Sequence, residues 1–263
     1  MVTAVLNSIK IRHWALLVII AVAASISTVD WTSATHAGAG ASMGMFVSAL
    51  ITPDISSTTL ITAGNAAWIT VAYAAAAMSI AIALGIPLGL IASGTLLPPG
   101  ISNTTLMISV RAYLGFIRSI HELIWALLLV ASLGLSPVVG VLAIAVPYSG
   151  IIGRVFAERL QDVPIHQLAA FESSGASSLQ MVIGARIPSV LPDIISYLFY
   201  RFECAIRTAA VLSFVGLGGI GFQIHIALSD LKFETVATLM YTLVILIVAI
   251  DVFSGFVRKR MIA

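Results

Sequence analysis

The chain has 263 residues, 60% hydrophobic and 9% charged, with a formal net charge of +2. A soluble domain is about one quarter charged, so this composition, with a mean hydropathy of +1.09, indicates a polytopic membrane protein. The small net charge and the lack of a Lys/Arg-rich run exclude a nucleic-acid partner. The single cysteine, Cys204, excludes an intrachain disulfide framework and a multi-cysteine zinc site.

In chain order, apolar runs of spanning length, about 20 residues each, recur six times. They fall at roughly 13–30, 63–93, 104–133, 137–157, 189–214 and 235–257. Their continuous Ala/Leu/Ile/Val character, without ten-residue alternation, predicts an all-α protein rather than a barrel. Lys10 and Arg12 precede the first run, and Thr35-His36-Ala37 resembles a small-residue cleavage site. That pattern fits a signal peptide or a retained anchor; the membrane character of everything downstream favours retention. The segment 31–62 is rich in small and hydroxyl residues, carries the turn Thr52-Pro53-Asp54, and predicts a short helix around 40–50. Pro87 and Pro147 predict kinks in the second and fourth runs. Residues 1–263 read as one membrane domain.

Basic residues set the expected orientation. Lys10 and Arg12, then Arg154, Arg159 and Arg186, then Arg258, Lys259 and Arg260 all fall on one side of a six-span arrangement. The loops on the other side are nearly free of Lys and Arg. Both termini and the 158–188 segment are therefore expected to be cytoplasmic.

The fifth run contains Tyr200-Arg201-Phe202-Glu203-Cys204-Ala205-Ile206-Arg207. Counted from Pro192, Arg201 lies about 14 Å and Arg207 about 22 Å along a helix, near mid-membrane. A charge facing lipid there costs roughly 2.5–3.5 kcal/mol, so these side chains must face protein or water. Glu203 and Arg207 are four residues apart, acid first, which suits an intrahelical ion pair. Arg201 is about 200° round the helix from Glu203 and needs another partner. Arg118 and Glu122 on the third run, also four apart, are candidates across the bundle. Two readings stay open: buried ion pairs that hold helices in register, and an arginine facing a pathway that attracts an oxyanion.

Several motif matches carry no chemistry. Gly216 to Gly221 spells G-x-G-x-x-G but follows an apolar helix instead of a strand, so its glycines are expected to serve a tight turn or close backbone approach. No G-x-x-x-x-G-K-[ST], H-E-x-x-H or G-x-S-x-G is present, so no catalytic residue, metal ligand or nucleotide site is expected in this chain.

The polar segment 158–188 contains Leu168-Ala169-Ala170-Phe171-Glu172-Ser173-Ser174-Gly175-Ala176, then Ile187-Pro188 and Leu191-Pro192. Two short helices around a glycine break read either as an ordinary loop with a glycine cap or as an elbow. The elbow resembles the E-A-A-x-x-x-G signature of binding-protein-dependent ABC importer permeases, with Gly175-Ala176 on its G-A. Ala169 stands where that family has glutamate, Ala170 matches the alanine that follows, and Glu172 is the nearest carboxylate. Tyr200-Arg201-Phe202-Glu203 followed by Gly216 to Gly221, with Arg118, Glu122 and Gly134-Leu135, is similar to the phosphonate-uptake subfamily over about 63–257.

The resemblance implies a type I ABC importer permease fold in the bacterial cytoplasmic (inner) membrane and transport of phosphonate, phosphate or phosphite. It also implies a cytoplasmic ABC ATPase dimer that carries ATP and Mg, an extracytoplasmic substrate-binding protein, and a second permease subunit, identical or paralogous, in membrane lipid. The segment 158–188 would then couple to the ATPase, with Leu168 and Phe171 supplying apolar docking contacts. The competing reading is a secondary transporter or channel that uses the buried Arg and Glu residues for ion coupling. A lipid-acting enzyme lacks a nucleophile or metal cluster.

Overall fold

The computed structural model describes residues 2–28, 39–96 and 100–262. They are helical nearly throughout, and residues 1–51 and 52–263 form separate units. The first unit holds α1 (Val2–Ser27) and α2 (Ala39–Ile51). From His13 onward the side chains of α1 are all exposed, Trp14 to 69%. Such uniform apolarity suits a lipid-facing helix. The helix ends where the Ser27 and Thr28 hydroxyls bond back to the Ala24 and Ser25 carbonyls. The short helix expected around 40–50 is α2, whereas Thr35-His36-Ala37 lies outside the described residues.

The second unit begins with α3 (Ser57–Ser93), about 55 Å long. Ser56 caps its start by accepting the Thr59 N–H, and Gly94, at φ +68°, ends it in a left-handed turn. Then come α4 (Ile101–Ser119), α5 (Glu122–Leu133), and α6 (Pro137–Gln161), the last capped by Ser136 with proline in its first turn. The core lies where α3, α6 and α9 (Ile187–Leu212) meet, around Ala74, Ala77, Ala81, Ile144, Tyr148 and Ile206. Small residues dominate because lipid offers no hydrophobic push; helices associate by close van der Waals contact. A Cβ on Gly89 would sit 2.4 Å from the Gly153 carbonyl oxygen, and one on Gly85 would sit 2.8 Å from that of Ser149.

Among the described residues, four helical segments are long and apolar enough to cross a membrane: Ser57–Ser93, Pro137–Gln161, Ser178–Ser229, which contains α9, and Phe233–Arg260 within α11 (Phe233–Ile262). The third expected run, 104–133, is not one straight helix, because α4 and α5 meet at 86°. The cause is local. Ile120 turns extended, and His121 caps α5 by accepting the Leu123 N–H on Nδ1 at 3.2 Å. The Trp125 indole N–H then satisfies the Ile117 carbonyl at 3.2 Å. The apolar portion of α1, His13–Ser27, is shorter than these spans.

At one end of the bundle, hereafter the elbow end, α7 (Ile165–Ser173) and α8 (Ser178–Met181) lead through a π-helical turn, Val182–Arg186, into α9. At the other, α9 passes through a short 3-10 turn to α10 (Ile220–Ser229) and then α11. The 215–234 connection is thus mostly helix. There the Asp54 N–H donates to the Glu234 carbonyl at 3.2 Å, and the Thr238 hydroxyl donates to that of Asp54 at 2.8 Å. The Thr59 hydroxyl, then the Ser56 backbone N–H, hold the Asp54 carboxyl below the usual carboxylate value.

Candidate translocation site in the helix bundle

Arg201 sits one helical turn beyond Tyr197, so both share a face of α9. Its Nε donates to the Tyr197 hydroxyl at 2.8 Å, and its guanidinium lies 5.4–5.8 Å from the ring centres of Tyr197, Tyr148 and Tyr200. The cation is thus held by aromatic faces rather than by Arg118 or Glu122, the partners considered from the sequence. Among the described residues its other N–H groups make no hydrogen bond, which leaves the fork of the guanidinium free.

Glu122, in the first turn of α5, accepts the Thr208 hydroxyl at 3.0 Å, and Thr208 lies 3.1 Å from the Tyr148 hydroxyl. This chain of polar groups ties α5, α9 and α6 beside Arg201. Arg118 ends α4 on the other side of the bend, so its four-residue spacing from Glu122 does not place the two on one helix face. Arg118 is exposed and makes no ion pair among the described residues. On α9 the Arg207 guanidinium bonds Glu203; the acid is 12% exposed and the arginine 49%. Tyr148, Tyr197 and Thr208 were not singled out from sequence. The readable signal was Tyr197, four residues before the unpaired arginine; Tyr148 and Thr208 join only through tertiary packing.

The glycine turn is locked above this cage. Gly216, Gly218 and Gly219 have φ of +98°, +86° and +93°, a region that L side chains rarely occupy. Tyr73 of α3 donates to the Leu217 carbonyl at 2.7 Å, Thr70 accepts the Ile220 N–H at 3.0 Å, and Ser213 accepts the Gly221 N–H at 2.9 Å. The sequence G-x-G-x-x-G here makes a tight turn, with no strand before it among the described residues.

At the elbow end, Gly175, at φ +76°, ends α7; its N–H reaches the Glu172 carbonyl, and the Ala176 N–H that of Phe171, both at 3.0 Å. Leu168 is 4% exposed and packs with Phe171 against Ala185 and Val190. Leu168 therefore belongs to the elbow's own core and does not face outward as a docking contact, whereas Phe171 is half-buried. The outward face carries Ile165, 79% exposed, with Ala169, Ala170 and Glu172.

A bundle of helices long and apolar enough to span, with one sharply bent helix pair and a helical elbow at one end, defines a multi-pass membrane protein. Residues 85–262 match the family described as binding-protein-dependent transport system inner membrane component, and the chain belongs to that family. Among curated relatives it is 29% identical over 193 residues to the phosphate-import permease protein PhnE of Mycolicibacterium smegmatis, an alignment covering 73% of this chain and 36% of that protein. It is 33% identical over 150 residues to the phosphite transport system permease protein PtxC of Stutzerimonas stutzeri, covering 57% of this chain and 54% of that one. The chain thus spans about a third and about half of the lengths of these two relatives. Among solved structures, an inward-facing MetNI methionine ABC transporter superposes with a TM-score of 0.69 at 20% identity, over 79% of this chain and 99% of that one. This establishes the shared permease fold.

Proposed function

We propose that this chain is the membrane-spanning permease subunit of an ATP-driven importer of phosphorus oxyanions, with phosphonate, phosphate and phosphite as the substrate class. The observation that carries the reading is Arg201, caged by tyrosines near mid-membrane with its terminal N–H groups free. A planar fork of donors matches two oxygens of a phosphonate group. Glu122, linked to the cage through Thr208 and Tyr148, limits the net positive charge, while Glu203 is already neutralised by Arg207, so an anion that enters is also able to leave.

A second permease subunit, an external binding protein and a cytoplasmic ATPase pair complete the assembly. ATP is hydrolysed on the ATPase, and its closure moves the elbow. The cluster of Arg154, Arg159, Arg186, Arg258, Lys259 and Arg260 supports a cytoplasmic placement for the elbow end and for the C-terminus, and Lys10 and Arg12 before the first apolar run support the same for the N-terminus. Names of relatives that handle phosphate and phosphite support the substrate class.

The decisive experiment is uptake into proteoliposomes containing this chain, its co-encoded ATPase and its binding protein. Uptake of labelled phosphonate, phosphate or phosphite should require internal ATP. Uptake that instead follows an ion gradient without the ATPase would overturn the reading in favour of a secondary transporter.

The elbow makes a separate prediction. Gly175→Pro removes the N–H that reaches Glu172 and forbids φ +76°. ATP hydrolysis should persist in the assembled complex while uptake falls by about tenfold or more, a loss of roughly 1.4 kcal/mol of coupling. Unchanged coupling in vesicles would remove the elbow from the mechanism.

A further inference from the structure

Away from the tyrosine cage, a cavity of about 60 Å³ opens between α3, α4 and α6 toward the elbow end, lined by Ala92, Arg111, Leu114, Arg154, Ala157 and Glu158. Two guanidinium groups from different helices share it with one carboxylate. Arg111 Nε donates to the Ala92 carbonyl at 2.8 Å, and Arg154 Nε donates to Glu158 Oε1 at 2.6 Å. Among the described residues neither arginine makes another hydrogen bond, so the Nη groups of both remain available. One Nε contact fixes each side chain, and the rest of each fork has no protein partner.

Depth and surroundings narrow the ligand. Arg154 lies about 26 Å along α6 from Pro137, against a hydrocarbon thickness of about 30 Å. The cavity therefore meets the boundary between acyl chains and headgroups. Its volume is several times the roughly 10–15 Å³ that one water needs on this measure, room for a compact anion such as a phosphate group and too little for an acyl chain. Ile108, three residues before Arg111 and hence on the same face of α4, is 57% exposed. An apolar surface for chains thus adjoins a basic notch for an anion.

We propose that this cavity binds the phosphate oxyanion of an anionic phospholipid headgroup, held between Arg111 and Arg154, with the acyl chains along α4. Guanidinium forks suit phosphate oxygens, and basic pockets between spanning helices favour anionic headgroups. Glu158 orients Arg154 and leaves an excess of one positive charge. A free phosphate ion has the same chemistry, and the test separates the two sources. The site needs only the membrane and stands independently of the transported substrate; the orientation proposed above would place it in the cytoplasmic leaflet.

The test is native mass spectrometry of the purified, delipidated full chain, titrated with phosphatidylglycerol or phosphatidylcholine, with and without millimolar inorganic phosphate. Wild type should retain phosphatidylglycerol in preference. Arg111→Gln and Arg154→Gln should each weaken that retention by about fivefold, with phosphatidylcholine unchanged. Monodispersity and helical circular dichroism check folding. If Arg111→Gln fails to fold for want of the Ala92 contact, Arg154→Gln decides alone, because its partner Glu158 is 48% exposed. Displacement of the lipid by inorganic phosphate would overturn the headgroup assignment in favour of a free oxyanion. Equal phosphatidylglycerol retention by wild type and the variants would overturn the site itself.

Discussion

Replacing Arg201 with alanine is expected to lower ATP-dependent uptake by about 10- to 100-fold, the scale of one or two lost charge-assisted hydrogen bonds to an oxyanion. The complex should still assemble. Arg201 has one hydrogen bond, to Tyr197, and no carboxylate is left unpaired by its removal, so the fold loses little. Arg201→Lys should fall between, since an ammonium keeps the charge but not the planar fork. Arg207→Ala offers the contrast. It strips the partner from Glu203, whose side chain is 12% exposed, and should lower the yield of assembled complex as well as uptake. Uptake by Arg201→Ala at the wild-type rate would remove the cage from the pathway. Loss of assembly in that variant would make Arg201 a register-holding residue instead. Proteoliposome uptake normalised to assembled complex distinguishes these results.

Gly89→Val should have the larger effect on the protein itself. Its Cβ would fall 2.4 Å from the Gly153 carbonyl oxygen and 3.0 Å from the Gly153 Cα, which are backbone atoms that no rotamer change can move aside. The helices α3 and α6 would have to part along the contact that also involves Gly85 and Ser149. Overpacking of this kind costs about 1–3 kcal/mol, occasionally more, a large fraction of a typical domain's stability. The measurement is the midpoint of thermal loss of the monodisperse peak, with Gly255→Ala as control. A Cβ at Gly255 meets nothing within 4 Å, and its midpoint should not fall, since alanine favours the helix over glycine. A Gly89→Val midpoint equal to wild type would mean that α3 and α6 do not approach this closely.

The amount of this architecture legible beforehand depended on whether the signal was local. Apolar runs long enough to span showed directly where α3, α6, α9 and α11 lie, because lipid demands continuous apolarity. The four-residue spacing of Glu203 and Arg207 likewise brought out a contact internal to one helix. The bend at 120–121 was hidden: composition stays apolar on both sides, and only the His121 cap breaks the ladder. That hidden bend also separated Arg118 from Glu122. The partners of Arg201 were only half visible, since Tyr197 is local but Tyr148 arrives from α6. Leu168 was misplaced for the same reason. An amphipathic helix shows which residues are apolar, but whether that stripe faces its own chain or another depends on the π-helical turn it folds against.

That turn has a mechanical consequence. From Ser178 through the π-helical turn Val182–Arg186 to Leu212 the backbone stays helical, with Pro192 lying between the elbow and the charged stretch of α9. About 34 Å separate Ser178 from Arg201 along this path. On the coupling role proposed above, a push applied at α7 and α8 would reach the tyrosine cage through this continuous helix, with the π-helical turn and Pro192 as the points where it bends.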